Sequence, residues 1–251
     1  MMRATPLLCG LVLAASVVGG VARFAAAADE RDCAVPREIL ADDPKLKLTG
    51  ERFRARQPVT IVAIGGASTA GTAAGDGAQF GYPRRLEEAL RQRHAGTPIT
   101  VINKGVPRQT TQEMVARFAK DVVPADPTLV IWETGTVDAV RGNDVDQFAD
   151  ALAHGIAALR EHNFDIMLVN MQYNPSTGSV INFEPYLDAL RDAADLEDVY
   201  LFRRYEIMKY WSEAGIFDFV DVPKEQRVQL ADQVYRCLAK AMADAIDYAA
   251  E

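Results

Sequence analysis

The small residues Gly65-Gly66-Ala67-Ser68-Thr69 close an apolar run and bring two hydroxyls, Ser68 and Thr69, to its end. A serine hydroxyl attacks an acyl carbon efficiently only when a neighbouring base accepts its proton, most often a histidine oriented by a carboxylate. The chain has three histidines, His94, His154 and His162. His94 and His162 end predicted helices, which puts them at the amino edge of a parallel sheet, and His154 falls mid-helix off the apolar face. All three read as solvated surface groups, so Ser68 is a fallback nucleophile with no visible base. A carboxylate such as Asp138 is the alternative base. Thr69, Thr136, Gln172 and Tyr173 are further candidates for a ligand cleft, and neutral hydrogen-bonding groups of this kind suit a polyol or sugar. Glu133 and the pair Arg203-Arg204 either line the same cleft or form a structural ion pair or a solvated edge. No His/Cys cluster has metal-ligand spacing and no glycine-rich phosphate motif occurs, so neither a metal nor a cofactor is expected.

These residues lie between short apolar runs that alternate with helical periodicity. Val59, Ile61, Val62 and Ile64 are β-branched and nearly continuous, which reads as a strand buried on both faces. Further strands are predicted at Ile99–Asn103, Leu129–Trp132, Ile166–Val169 and Val199–Phe202. Between them fall helices from about Pro83, across Met114–Phe118, over Gln147–His162 and near Tyr186–Leu196, and a last helix spans about Leu230–Ala249. This β/α alternation implies an α/β fold: a three-layer, flavodoxin-like sandwich with a central five-stranded parallel sheet and helices on both faces. Ligands in such sheets bind at the carboxyl ends of the strands.

The chain has 251 residues, 49% hydrophobic and 25% charged, enough for one sizeable core. Arg3 followed by the apolar run Leu7–Ala22 and the alanines 25–28 read as a signal peptide over residues 1–28, with no stable membrane anchor after cleavage. Residues 29–58 form an N-terminal arm of mixed charge without clear periodicity, and 59–251 the α/β domain. Removing 1–28 takes away Arg3 and Arg23 and no acid, moving the formal charge from −8 to −10, a balance that excludes nucleic acid as a partner. Export, with the bacterial periplasm as the expected destination, leaves Cys33 and Cys237 in an oxidising compartment. They are expected to pair. The alternative is two core thiols, since Cys237 shares a helical face with Val234, Leu238 and Ala241.

The frame Gly65-Gly66-Ala67-Ser68-Thr69-Ala70-Gly71 resembles the first block of the SGNH (GDSL-type) hydrolases, in the subgroup reading Gly-Ser-Ser-Ser-Thr-Ala-Gly. Tyr82-Pro83…Leu90, Val101-Ile-Asn103-Lys-Gly105, Trp132-Glu-Thr-Gly135-Thr136, Gln172-Tyr173-Asn-Pro175, Leu201…Trp211 and Tyr235-Arg-Cys237-Leu-Ala239 follow in the family's order. The resemblance implies an esterase ancestry with four chemical positions changed. The nucleophilic serine falls on Ala67, the oxyanion-hole asparagine on Val137, and the Asp-x-x-His pair on Gln226 and Gln229. The N–H groups of Ala67 and Gly105 remain as oxyanion donors, with Gln229 expected at the same cleft. A catalytically inactive protein that binds an acylated or saccharide ligand, or an enzyme partner in the cell envelope, is the reading this favours. An esterase or acetyl-transfer enzyme using Ser68 or a non-histidine base, and a structural or assembly protein with a vestigial cleft, are the alternatives.

Overall fold

The computed structural model describes residues 1, 33–41, 43 and 45–251; apart from Met1, the segment read as a signal peptide lies outside them. Each apolar run becomes a strand: β1 (Val59–Gly65), β2 (Ile99–Gly105), β3 (Leu129–Glu133), β4 (Asp165–Val169) and β5 (Tyr200–Phe202). All neighbours are parallel and the order is β2-β1-β3-β4-β5, as expected from the alternation of elements. The pairing aligns Gly65 with Gly105, Ile64 with Trp132, and Glu133 with Val169. The carboxyl ends of the central strands therefore form one edge.

The period-2 alternation of the strands sorts their side chains into two cores. Ile61, Leu129, Ile131, Met167 and Phe202 face one side, against Leu86 and Leu90 of α1 (Tyr82–Arg93). Val62, Ile64, Val130, Trp132 and Leu168 face the other, under Leu152 and Ile156 of α2 (Val145–Arg160) and Leu187 and Leu190 of α3 (Glu184–Leu196). Ile207 and Trp211 of α4 (Arg204–Glu213) and Leu238, Met242 and Ile246 of α5 (Arg227–Ala249) complete the first side. Among the described residues no helix is long and apolar enough to cross a membrane.

Three segments differ from the sequence reading. The predicted helix across Met114–Phe118 is two short helices, Thr111–Val115 and Phe118–Asp121, interrupted where Arg117 leaves the helical region at φ −109°, ψ 5°. The described part of the arm carries two helices, Arg37–Leu40 and Lys47–Ala55, and the Leu46 N–H donates to the Ala249 carbonyl at 2.8 Å. Leu40 and Leu46 are buried, so two leucines dock a stretch whose remaining residues are too polar to show a period. The last helix starts at Arg227 rather than near Leu230. Residues 226–234, Gln-Arg-Val-Gln-Leu-Ala-Asp-Gln-Val, contain neither Gly nor Pro and several good helix formers, so nothing stops the helix from running back.

Cys33 and Cys237 are disulfide-bonded with Cα atoms 5.1 Å apart, tying the arm to α5. Cys237 is buried, only 4% exposed, so its helical face does point into the core, but the alternative of two unpaired thiols fails.

Candidate functional site

The chain reverses its direction of sheet growth between β1 and β3, and the loops after those strands enclose a cavity of about 190 Å³. This is the topological switch point, where α/β sheets place ligands. Ala67 opens a one-turn helix, Ala67–Ala70, directly after β1, and its methyl group is exposed on the cavity wall. Ser68, Glu133, Thr136, Val137 and Gln172 line the same space. Six of the residues singled out from the sequence therefore meet here: Ala67, Ser68, Glu133, Thr136, Val137 and Gln172.

Ser68 is the hydroxyl at this wall next to Ala67. Its Oγ donates to Gln172 Oε1 at 3.2 Å, and the Tyr235 phenol is its other polar neighbour. A neutral amide oxygen cannot carry a proton away. Burial, and after it the charge of Glu133, hold the Tyr235 phenol above its ordinary range, so at neutral pH it is protonated and no base either.

Asp138 is committed elsewhere. Its carboxylate accepts from the Thr111 N–H at 3.0 Å, the Thr111 hydroxyl at 2.8 Å and the Asn143 amide at 3.0 Å, tying the loop after β2 to the one after β3. It is buried and does not line the cavity, which corrects its reading as a base or cleft residue. The histidines are remote. His154 and His162 are exposed, whereas His94 is not simply solvated: it stacks on Phe53 with ring centroids 3.7 Å apart and pairs with Asp247 at 2.8 Å.

Gln226 and Gln229 do not reach the cavity either. On α5 the residues facing the body of the protein are Arg227, Leu230, Ala231, Val234 and Tyr235, which border a neighbouring cavity. Positions 229 and 233 fall on the other side of a 3.6-residue helix, and they and Gln226, in the turn just before it, are exposed. Gln229, expected at the cleft from the start of the last helix, is turned away from it because the helix begins at Arg227 and its phase puts residue 229 outward.

Gly105 departs in a second way. Its N–H donates to Asn103 Oδ1 at 2.8 Å, and Asn103 Nδ2 in turn donates to the Thr69 carbonyl at 2.8 Å. The asparagine thus staples the end of β2 to the Ala67–Ala70 turn and takes the donor expected for a ligand. Close approach is why position 105 is glycine: a Cβ there would lie 2.2 Å from the Ala70 nitrogen and 2.6 Å from the Thr69 carbonyl carbon, both backbone atoms. Gly105→Ala is expected to cost about 1–3 kcal/mol, like other overpacking changes, read as a loss of several degrees in Tm.

Beneath the cavity lies a buried polar cluster. Glu133 Oε1 receives Arg204 Nη2 at 3.2 Å, and Glu133 Oε2 receives the Thr69 hydroxyl at 2.5 Å. The Tyr82 hydroxyl is 3.1 Å from the same Thr69 oxygen. Burial, then the adjacent Glu133 charge, raise the Tyr82 phenol well above its ordinary value. Thr69 is fully buried in this cluster and does not line the cavity, which removes it from the ligand-cleft candidates. Glu133 does line it. Of the two sequence readings for this glutamate, ion pair and cleft residue, both hold, while Arg203 goes to the arm and donates to the Ile39 carbonyl at 3.1 Å. Gly65 makes the cluster fit, since a Cβ there would lie 2.2 Å from Thr69 Oγ1. Tyr173 faces the neighbouring cavity rather than this one.

Known proteins bear out the architecture. A search among curated proteins found no sequence match. Among solved structures, an acetyl xylan esterase superposes with a TM-score of 0.60 at 20% identity, covering 75% of this chain and 100% of its own. The acetylxylan esterase of Geobacillus stearothermophilus gives 0.58 at 18%, covering 75% and 94%. A two-domain esterase active on acetylated mannans gives 0.63 at 16%, covering 79% of this chain and 52% of that one. At these identities the likeness is one of fold. The sequence model of the Non-GDSL lipase-like family matches residues 32–251, nearly all of the described protein. With that match over nearly all of the described residues, the chain belongs to the Non-GDSL lipase-like family.

Proposed function

We propose that this protein is a non-hydrolysing member of its family that binds an acylated saccharide, or a partner enzyme's acylated substrate, at the Ala67 cavity. The observation that carries this reading is the cavity wall itself. Ala67 and Val137 present methyl groups to it, and none of the three histidines borders it. An acyl-transfer site lacking nucleophile and base retains only binding and whatever oxyanion donors survive, and loss of a triad member costs on the order of 10⁴ to 10⁶ in turnover. The fold neighbours named for acetyl xylan and acetylated mannans make an acetylated polysaccharide the first ligand to test. Export to the periplasm is part of the proposal. The disulfide supports it, as such bonds persist in oxidising compartments.

The purified protein is expected to hydrolyse p-nitrophenyl acetate and acetylated xylo- and manno-oligosaccharides no faster than background, to resist fluorophosphonate labelling, and to bind acetylated oligosaccharides on a glycan array. Installing Ala67→Ser, Val137→Asn, Gln226→Asp and Gln229→His together is expected to leave hydrolysis at background, because residue 229 lies on the outer side of α5. A second reading rests on the Ser68 hydroxyl, which borders the cavity and would be the nucleophile of a slow esterase. Wild-type turnover abolished by Ser68→Ala would establish that reading and overturn the first.

A further inference from the structure

Beside the Ala67 cavity, sharing Gln172 with it, lies a larger open cavity of about 440 Å³. That volume falls within the range of small-molecule sites, roughly 300–1,000 Å³. Its walls are apolar and aromatic: Tyr173, Met208, Phe219, Val222, Leu230 and Val234 come from the loop after β4, from α4, from the loop before α5 and from α5. The walls are fastened to each other. Asn174 Nδ2 donates to the Phe219 carbonyl at 3.3 Å, and Tyr173 packs edge-on against Tyr205 at 5.2 Å.

The charge on this lining is one-sided. Arg227 contributes a guanidinium and no aspartate or glutamate borders the space, in a chain whose formal net charge is −8. Arg227 Nε donates to the Val222 carbonyl at 3.3 Å, and among the described residues no carboxylate pairs with its terminal nitrogens. An unpaired guanidinium at the edge of an apolar cavity is complementary to a carboxylate carried on an apolar body. Val220 lines the same cavity while 56% exposed, which extends its apolar surface to the mouth.

We propose that this cavity binds a monocarboxylate with an apolar chain or ring, the chain lying among Met208, Phe219, Leu230 and Val234 and the carboxylate on Arg227. The site is distinct from the one at Ala67. It requires neither hydrolysis nor its absence, so ester-cleavage assays and the titrations below report on different readings.

Isothermal titration of the purified full chain with hexanoate, octanoate, decanoate, decanol and 3-phenylpropanoate tests it. Affinity is expected to rise about fourfold per added methylene until the chain outgrows the cavity. Decanoate is expected to bind about tenfold tighter than decanol, the scale of one charge-assisted hydrogen bond. Arg227→Gln, a change at an exposed position, is expected to remove that preference and keep the dependence on chain length. Leu230→Trp, which fills the space, is expected to weaken every member of the series at least tenfold. Octanoate and 3-phenylpropanoate tell alkyl from aryl bodies by which binds tighter. Equal affinity for acid and alcohol, affinity that ignores chain length, or unchanged binding in either variant would overturn the proposal.

Discussion

Arg204→Met with Glu133 left in place is expected to lower stability by about 3–5 kcal/mol, the usual cost of leaving a buried charge without its partner. Arg204 is 2% exposed and Glu133 4%, and the ion pair is the cation's route to neutrality in that position. For a chain of this size each kcal/mol corresponds to roughly 2–4 °C, so Tm is expected to fall by about 6–20 °C. The double variant Glu133→Gln, Arg204→Met removes both charges and keeps an oxygen to accept from Thr69. It is expected to be markedly more stable than the single variant, since replacing both members of a buried pair is often close to neutral. Chemical denaturation of wild type, both singles and the double gives the coupling energy directly. A single variant within about 1 kcal/mol of wild type would mean that the pair contributes little and that Arg204 is satisfied by something else.

That cluster shows where residues alone speak clearly and where they do not. The strands are legible because Ile61–Ile64, Leu129–Trp132 and Ile166–Val169 are continuous apolar runs, and a sheet covered on both faces demands that pattern. The meeting of Ala67, Val137 and Gln172 is legible because parallel strands bring their carboxyl-end loops to one edge. Helix phase is different. Whether Gln226 and Gln229 point inward depends on whether their segment is loop or helix, and one extra turn of α5 reverses the answer. Asp138 and Asn103 escaped for another reason. Each has the chemistry of a catalytic or ligand group but is spent on backbone N–H groups or carbonyls thirty or so residues away, and such long-range partners leave no local pattern. α4 begins with Arg204, Tyr205 and Glu206, and that polar start hides a helix whose apolar residues, Ile207, Met208 and Trp211, lie further along.

The same contrast between local and long-range order bears on the disulfide. Changing Cys33 and Cys237 to serine together is expected to cost roughly 5 kcal/mol in the chain-entropy model, or about 10–20 °C in Tm, because the bond closes a loop across 204 residues of sequence separation. The arm itself should stay docked. Trp211 Nε1 donates to the Ala34 carbonyl at 3.3 Å, Arg203 Nε to the Ile39 carbonyl at 3.1 Å, and the Thr49 N–H and hydroxyl each donate to Asp165 at 2.7 Å. These bonds hold Ala34, Ile39 and Thr49 without help from sulfur. Most of the loss should therefore come from the unfolded chain gaining freedom, with the folded structure unchanged. Kinetics separate the two origins: the double-serine variant is expected to refold more slowly while its unfolding rate stays within a few-fold of wild type, and amide exchange in residues 46–55 is expected to remain slow under native conditions. Fast exchange confined to the arm, with an unfolding rate raised in proportion to the whole loss, would show instead that the bond acts by clamping the folded arm onto α5.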